Sequence, residues 1–79
     1  MPDLEPIARQ YRTRFPSDAA FFDTVMMEIQ SHMVQIEDMR RERDEHMHEE
    51  IADLAAYALI LAHAHDIDGD KLAARAKKL

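Results

Sequence analysis

Cysteine is absent from the 79 residues, glycine occurs once, at Gly69, and proline only at positions 2, 6 and 16. Without thiols there is neither a disulfide framework nor a thiolate metal site. A single glycine cannot build a phosphate-cradling loop of the P-loop or dinucleotide type. So few breakers, among so much Ala, Leu, Met, Glu and Arg, favour an all-α chain. Basic residues number 10 against 16 acidic ones, for a net charge of −6. That balance argues against binding duplex nucleic acid, which needs a basic face to displace counterions. Long apolar runs are missing too. The longest, Leu54 to Ala62, has nine residues, about half of the roughly 18 that a membrane span requires. The lack of cysteine and of a leader-like segment makes the cytoplasm the expected location. Finally, Ser17 and Ser31 have no base at a spacing that would make a nucleophilic triad.

What remains is a helical pattern, expected as one domain over residues 1–79. Pro6 suits the first turn of a short helix, Ile7 to Arg14, which Phe15-Pro16 ends. Ser17 or Asp18 can cap a long second helix from about Ala19 to Arg41. There Phe22, Val25, Met26, Ile29, Met33, Ile36 and Met39 recur at steps of three and four, the helical period. The charged stretch 40–49 holds no glycine or proline. Loss of apolar periodicity places a turn near Glu42 to Glu45; the alternative is one helix across 19–65, which only a coiled coil or extended assembly would support. A third helix should run from His46 to His65. Asp66-Ile67-Asp68-Gly69 reads as a turn, with Asp68 or Asp70 capping a last basic helix to Leu79.

The third helix is apolar on nearly every side from Ile51 to Ala64, and a helix apolar all round is buried all round. A chain this short has too little else to surround it. The expected architecture is therefore an antiparallel bundle built around two long helices and completed by oligomerisation, as dimer or tetramer.

Chemistry concentrates at the head of that helix. His46, Glu50, Asp53 and Tyr57, spaced by four, three and four, share one stripe at about 100° per residue, and Glu49 lies beside it. Leu61 and Ala64 carry the stripe toward the core. Carboxylates entering an apolar setting are paired, protonated or bound to a metal. Two a helical turn apart repel unless a cation separates them, and oxygen donors suit Mg²⁺ or Mn²⁺. The competing reading is an acidic first turn favoured by the helix dipole, although Asp53 lies beyond that turn. The second helix offers Glu28 and His32, four apart, on one flank of its apolar stripe, and Glu37 on the other. His46 and His48 face different ways, as do His63 and His65, which disfavours a histidine zinc site. The methionines at helical spacing read as adaptable core packing.

The stretch "EEIADLAAYALILAHAHDID" resembles the second half of the all-α nucleoside triphosphate pyrophosphohydrolase superfamily, the MazG-like proteins. The resemblance rests on Glu50-Ile51-Ala52-Asp53 as the Glu-x-x-Asp motif, on Tyr57 as the aromatic a turn later, and on Ile67-Asp68 as the turn before a basic helix. It covers about residues 48–78. It implies a helical oligomer that uses Mg²⁺ to cleave nucleoside triphosphates, dNTPs in the first instance, to monophosphate and pyrophosphate. Glu50 and Asp53 would be metal ligands, Glu28 and Glu49 would support metal and catalysis, and His32 would be a ligand or orienting group. Tyr57 would meet substrate, and on charge alone, apart from the resemblance, Lys71 or Lys77 could contact phosphate. The family's preceding helix carries Glu-Glu-x-x-Glu; with Glu28 first, Ile29 follows it and His32 takes the last acidic place, with Glu28 second that place falls on Ser31, and with Glu37 last the first two fall on Met33 and Val34, so no alignment restores all three acids. The alternative is a non-catalytic module, either a nucleotide sensor of the same fold or an interaction protein dimerising through a continuous 19–65 helix.

Overall fold

A computed structural model describes residues 4–79; the first three residues of the expected domain lie outside it. The chain is all-α. Four helices follow one another, α1 (Glu5–Arg12), α2 (Asp18–Glu42), α3 (Met47–Ala64) and α4 (Gly69–Ala76), with no strand among the described residues. None of these helices is long and apolar enough to cross a membrane.

Helix α1 begins two residues before the expected Ile7 and ends two before Arg14. Pro6 fits its first turn because the missing N–H would have no intrahelical partner there. Past Arg12 the chain tightens, Arg14 N–H bonding to the Tyr11 carbonyl and Phe15 N–H to that of Arg12, as a chain approaching Pro16 should. Ser17, not Asp18, caps α2: its hydroxyl accepts from Ala20 N–H at 3.1 Å. Asp18 instead pairs with Arg12, which also donates to the Phe15 carbonyl and lies over the Phe21 ring. That set of contacts fixes the α1–α2 corner.

A continuous 19–65 helix does not form. Arg43 takes left-handed backbone (φ 56) at the end of α2; its N–H bonds to the Arg40 carbonyl and Asp44 N–H to the Met39 carbonyl. This is the Schellman arrangement, usually built on glycine. The same closure ends α3. Asp66 (φ 58) occupies the left-handed position, Asp66 N–H bonds to the His63 carbonyl, and Ile67 N–H bonds to that of Ala62. Asp68 then caps α4 through Lys71 N–H at 2.9 Å. Helix α4 stops at Ala76, short of the expected Leu79, and its tail continues in i→i+3 turns.

The main packing is α2 on α3, with α1 against α3 and α4 packed on none of them to a comparable extent. Val25 is fully buried, with Phe21 and Ala8 nearly so. Tyr11 stacks edge-on or tilted against Phe15, Phe21 and Tyr57, with centroids 5.4 to 6.3 Å apart, which pins α1 onto both long helices. No residue of α3 is buried. Leu61 is half-buried, whereas Ala64, expected to point into the core, is exposed. One copy of the chain does not enclose its most apolar helix.

Candidate metal centre

Folding α3 back on α2 brings the middle of α2 opposite the head of α3. His32 is the pivot, its side chain 12% exposed. Its Nδ1 lies 2.7 Å from the Glu28 carbonyl one turn earlier. A carbonyl only accepts, so Nδ1 carries the proton and donates. Nε2 faces away, toward α3, where Glu50 Oε2 lies at 3.5 Å and Asp53 Oδ2 at 3.6 Å. The Tyr57 ring packs against the imidazole, centroids 5.4 Å apart, and blocks its rotation.

One ligand atom each from His32, Glu50 and Asp53 lies within 4.8 Å of the others. They grade outward: the Glu50 side chain is 20% exposed and that of Asp53 57% exposed. Glu50 Oε2 is wholly buried and has no hydrogen-bond partner. A buried carboxylate oxygen without a donor is costly. A proton on Nε2 would pair its charge with both carboxylates, at 3.5 and 3.6 Å, although these distances lie beyond the roughly 2.7 to 3.2 Å of an N–H···O bond. Donors sharing one ion at bonds of 2.0 to 2.2 Å lie about 3.0 to 3.5 Å apart; His32 Nε2 is close to that spacing from each carboxylate, and the two carboxylates lie within 4.8 Å of each other. The residues present fit a divalent cation.

The other expected site residues fall elsewhere. The Glu28 carboxylate sits on the Nδ1 side of the ring, with Oε2 at 3.8 Å, so it backs His32 and is not one of the three converging donors. Glu49 and Glu37 are exposed and outside the group. His46 leaves the stripe; its ring and its backbone N–H both bond to Asp44 Oδ1, at 3.0 and 2.8 Å. These contacts hold the Asp44 carboxyl below its usual value, the His46 backbone N–H contributing most. Lys71 donates from Nζ to the Asp66 carbonyl at 2.9 Å. Lys71 lies in α4 and Lys77 follows its last residue; both come after the end of α3, itself about 16 Å of helix beyond Asp53.

An open depression of about 260 Å³ adjoins the cluster, lined by Tyr11, Asp53, Ala56, Tyr57 and Ile60. Burial raises the Tyr57 phenol above its ordinary value, helped by Tyr11, Glu28 and Asp53, so it stays protonated and neutral near pH 7. Tyr11 is the lining residue that sequence reasoning missed. Its only signal was its place three residues after Ala8 and four before Phe15 on the inner face of α1. Compared with family models, curated proteins and solved structures, the chain matches none.

Proposed function

We propose that the chain is a divalent-metal-dependent hydrolase of nucleoside triphosphates, releasing monophosphate and pyrophosphate, and that it works as a homo-oligomer in which further copies complete the helical bundle. The observation that carries this reading is the convergence of His32 Nε2, Glu50 Oε2 and Asp53 Oδ2 from two helices, with the Glu50 oxygen buried and without a donor. An ion bound there would neutralise phosphate charge and make water a better nucleophile.

The chain's own groups supply the rest. Glu28 holds the imidazole through its carbonyl, which keeps Nε2 on the cluster. Glu49, one turn before Asp53 on a neighbouring line of α3, is the solvent-facing carboxylate placed to accept a proton from water. Tyr11 and Tyr57 wall the depression beside Asp53 and offer aromatic faces for a base. Lys71 and Lys77 reach phosphate only from another copy. The non-catalytic reading, a nucleotide sensor or interaction module, draws support from Phe22, Met33 and Ile51, which are 44, 52 and 43% exposed. Its continuous-helix form is excluded by the turn at Arg43.

The test is pyrophosphate release from a panel of ribo- and deoxyribonucleoside triphosphates with Mg²⁺, Mn²⁺ or EDTA. Metal-dependent release is expected. No release, together with no metal-dependent thermal shift, rejects the proposal. A nucleotide-dependent shift without turnover selects the sensor.

A further inference from the structure

The three converging donors are one nitrogen and two oxygens, and the nitrogen cannot be moved aside cheaply. His32 Nδ1 is tied to the Glu28 carbonyl at 2.7 Å, Tyr57 covers the ring, and the side chain is 12% exposed. In the neutral ring, a donating Nδ1 leaves the lone pair on Nε2, and Nε2 points at Glu50 and Asp53. A backbone carbonyl holding the far nitrogen is the usual outer support of a metal-bound histidine.

We infer that His32 makes this cluster selective for a borderline divalent transition ion, of the Mn²⁺ or Co²⁺ kind, over Mg²⁺. The inference rests on the reading of the cluster as a metal centre. Mg²⁺ demands a near-octahedral oxygen shell and gives up its water reluctantly. Imidazole favours the transition ions. Mg²⁺ bound through Glu50 and Asp53 alone would leave the Nε2 lone pair uncoordinated, whereas a transition ion would use all three donors.

The full-length chain, stripped of metal, is titrated with Mn²⁺ by the EPR signal of the free ion, and Mg²⁺ is then used to displace it. Mn²⁺ is expected to bind at least about tenfold more tightly than Mg²⁺. His32→Gln, which puts an amide oxygen at similar reach, should bring the ratio close to one while Mg²⁺ still binds and circular dichroism stays helical. If that variant does not fold, nitrogen-15 spectra of the histidine rings decide instead: Zn²⁺ should shift one ring nitrogen, that of His32, and Mg²⁺ should not. Equal affinity for Mn²⁺ and Mg²⁺, a ratio unchanged in His32→Gln, or no shift of the His32 ring overturns the inference and leaves the metal-centre reading standing. Failure of every divalent ion to bind overturns both.

Discussion

At the scale of single residues, the informative atom is Glu50 Oε2. It is buried, faces an imidazole lone pair, and has no donor. Without an ion, and with a neutral His32 ring donating from Nδ1 to Glu28, three acceptors converge and none of them donates. Glu50→Gln supplies an N–H₂ that can donate toward Nε2 or Asp53 and removes a buried charge. In EDTA this variant should be more stable than the parent by about 1 kcal/mol, a rise in Tm of roughly 4 to 8 °C for a chain of this size. The thermal stabilisation that divalent metal gives the parent should be lost in the same variant. A lower Tm in EDTA would mean that Glu50 already has a proton or partner and that acceptor crowding is the wrong description. Glu50 and Asp53 were legible in the sequence because i and i+3 on a helix must share a face, whatever the fold. The division of labour between Glu28 and His32 was not. It depends on which ring nitrogen turns toward α3, which the Nδ1 bond to the Glu28 carbonyl and the packing of Tyr57 set together. Tyr11 was hidden for a related reason, since its neighbours across space are about 10 and 46 positions away.

Helices and turns repeat this division. The three-and-four periodicity of α2 and the Ser17 cap are local, so the helix was readable nearly to its ends. The turn at 43–46 was readable only as a loss of apolar residues. Its backbone signal is carried by Arg43 in left-handed conformation, where glycine is the expected occupant, and a non-glycine residue there is uncommon. Asp44 then secures the start of α3 by accepting from the His46 backbone N–H and ring. Its carboxyl is held below the ordinary value of 3.8. The sign follows from linkage: a group with a folded value below its unfolded one adds stability above the unfolded value, and that stability fades as pH falls through the folded value. The α2–α3 turn should therefore loosen below about pH 4. Protection of the His46 and Met47 amides, taken relative to their intrinsic exchange rates, should fall on acidification from pH 4 toward 2, and Asp44→Asn should remove most of that pH dependence. A step of the same size in the variant would assign the effect to another carboxylate.

One copy of the chain is open for its mass. It exposes 6395 Å² for 9.2 kDa, against about 4,900 Å² for a compact monomer of that mass. Its radius of gyration is 13.9 Å, against about 11.6 Å for a compact domain. The excess area exceeds the roughly 800 Å² per partner of a standard interface. Its position follows from helix geometry. Ile60 lines the same hollow as Ala8, Arg9 and Arg12 of α1. Ile51, Ala55, Ala58 and Ala62 fall roughly opposite Ile60 on α3, and Phe22, Met26, Ile29 and Met33 turn to that same side on α2. Together they form an apolar face on the side away from α1; in the proposed homo-oligomer a second copy would cover it, apolar stripe to apolar stripe about a two-fold axis. Light scattering should return a mass of two or four chains for the parent. Phe22→Lys and Ala58→Lys each place a charge on that face at positions already exposed in one chain. Each should shift the population toward a 9.2 kDa monomer, with lowered thermal stability and retained helicity. Metal affinity is the second readout, because His32 and Glu50 face each other within one chain. A monomeric variant that still binds the ion would separate the metal centre from the assembly. A monomeric parent would remove the assembly from the proposal and leave the open face unexplained.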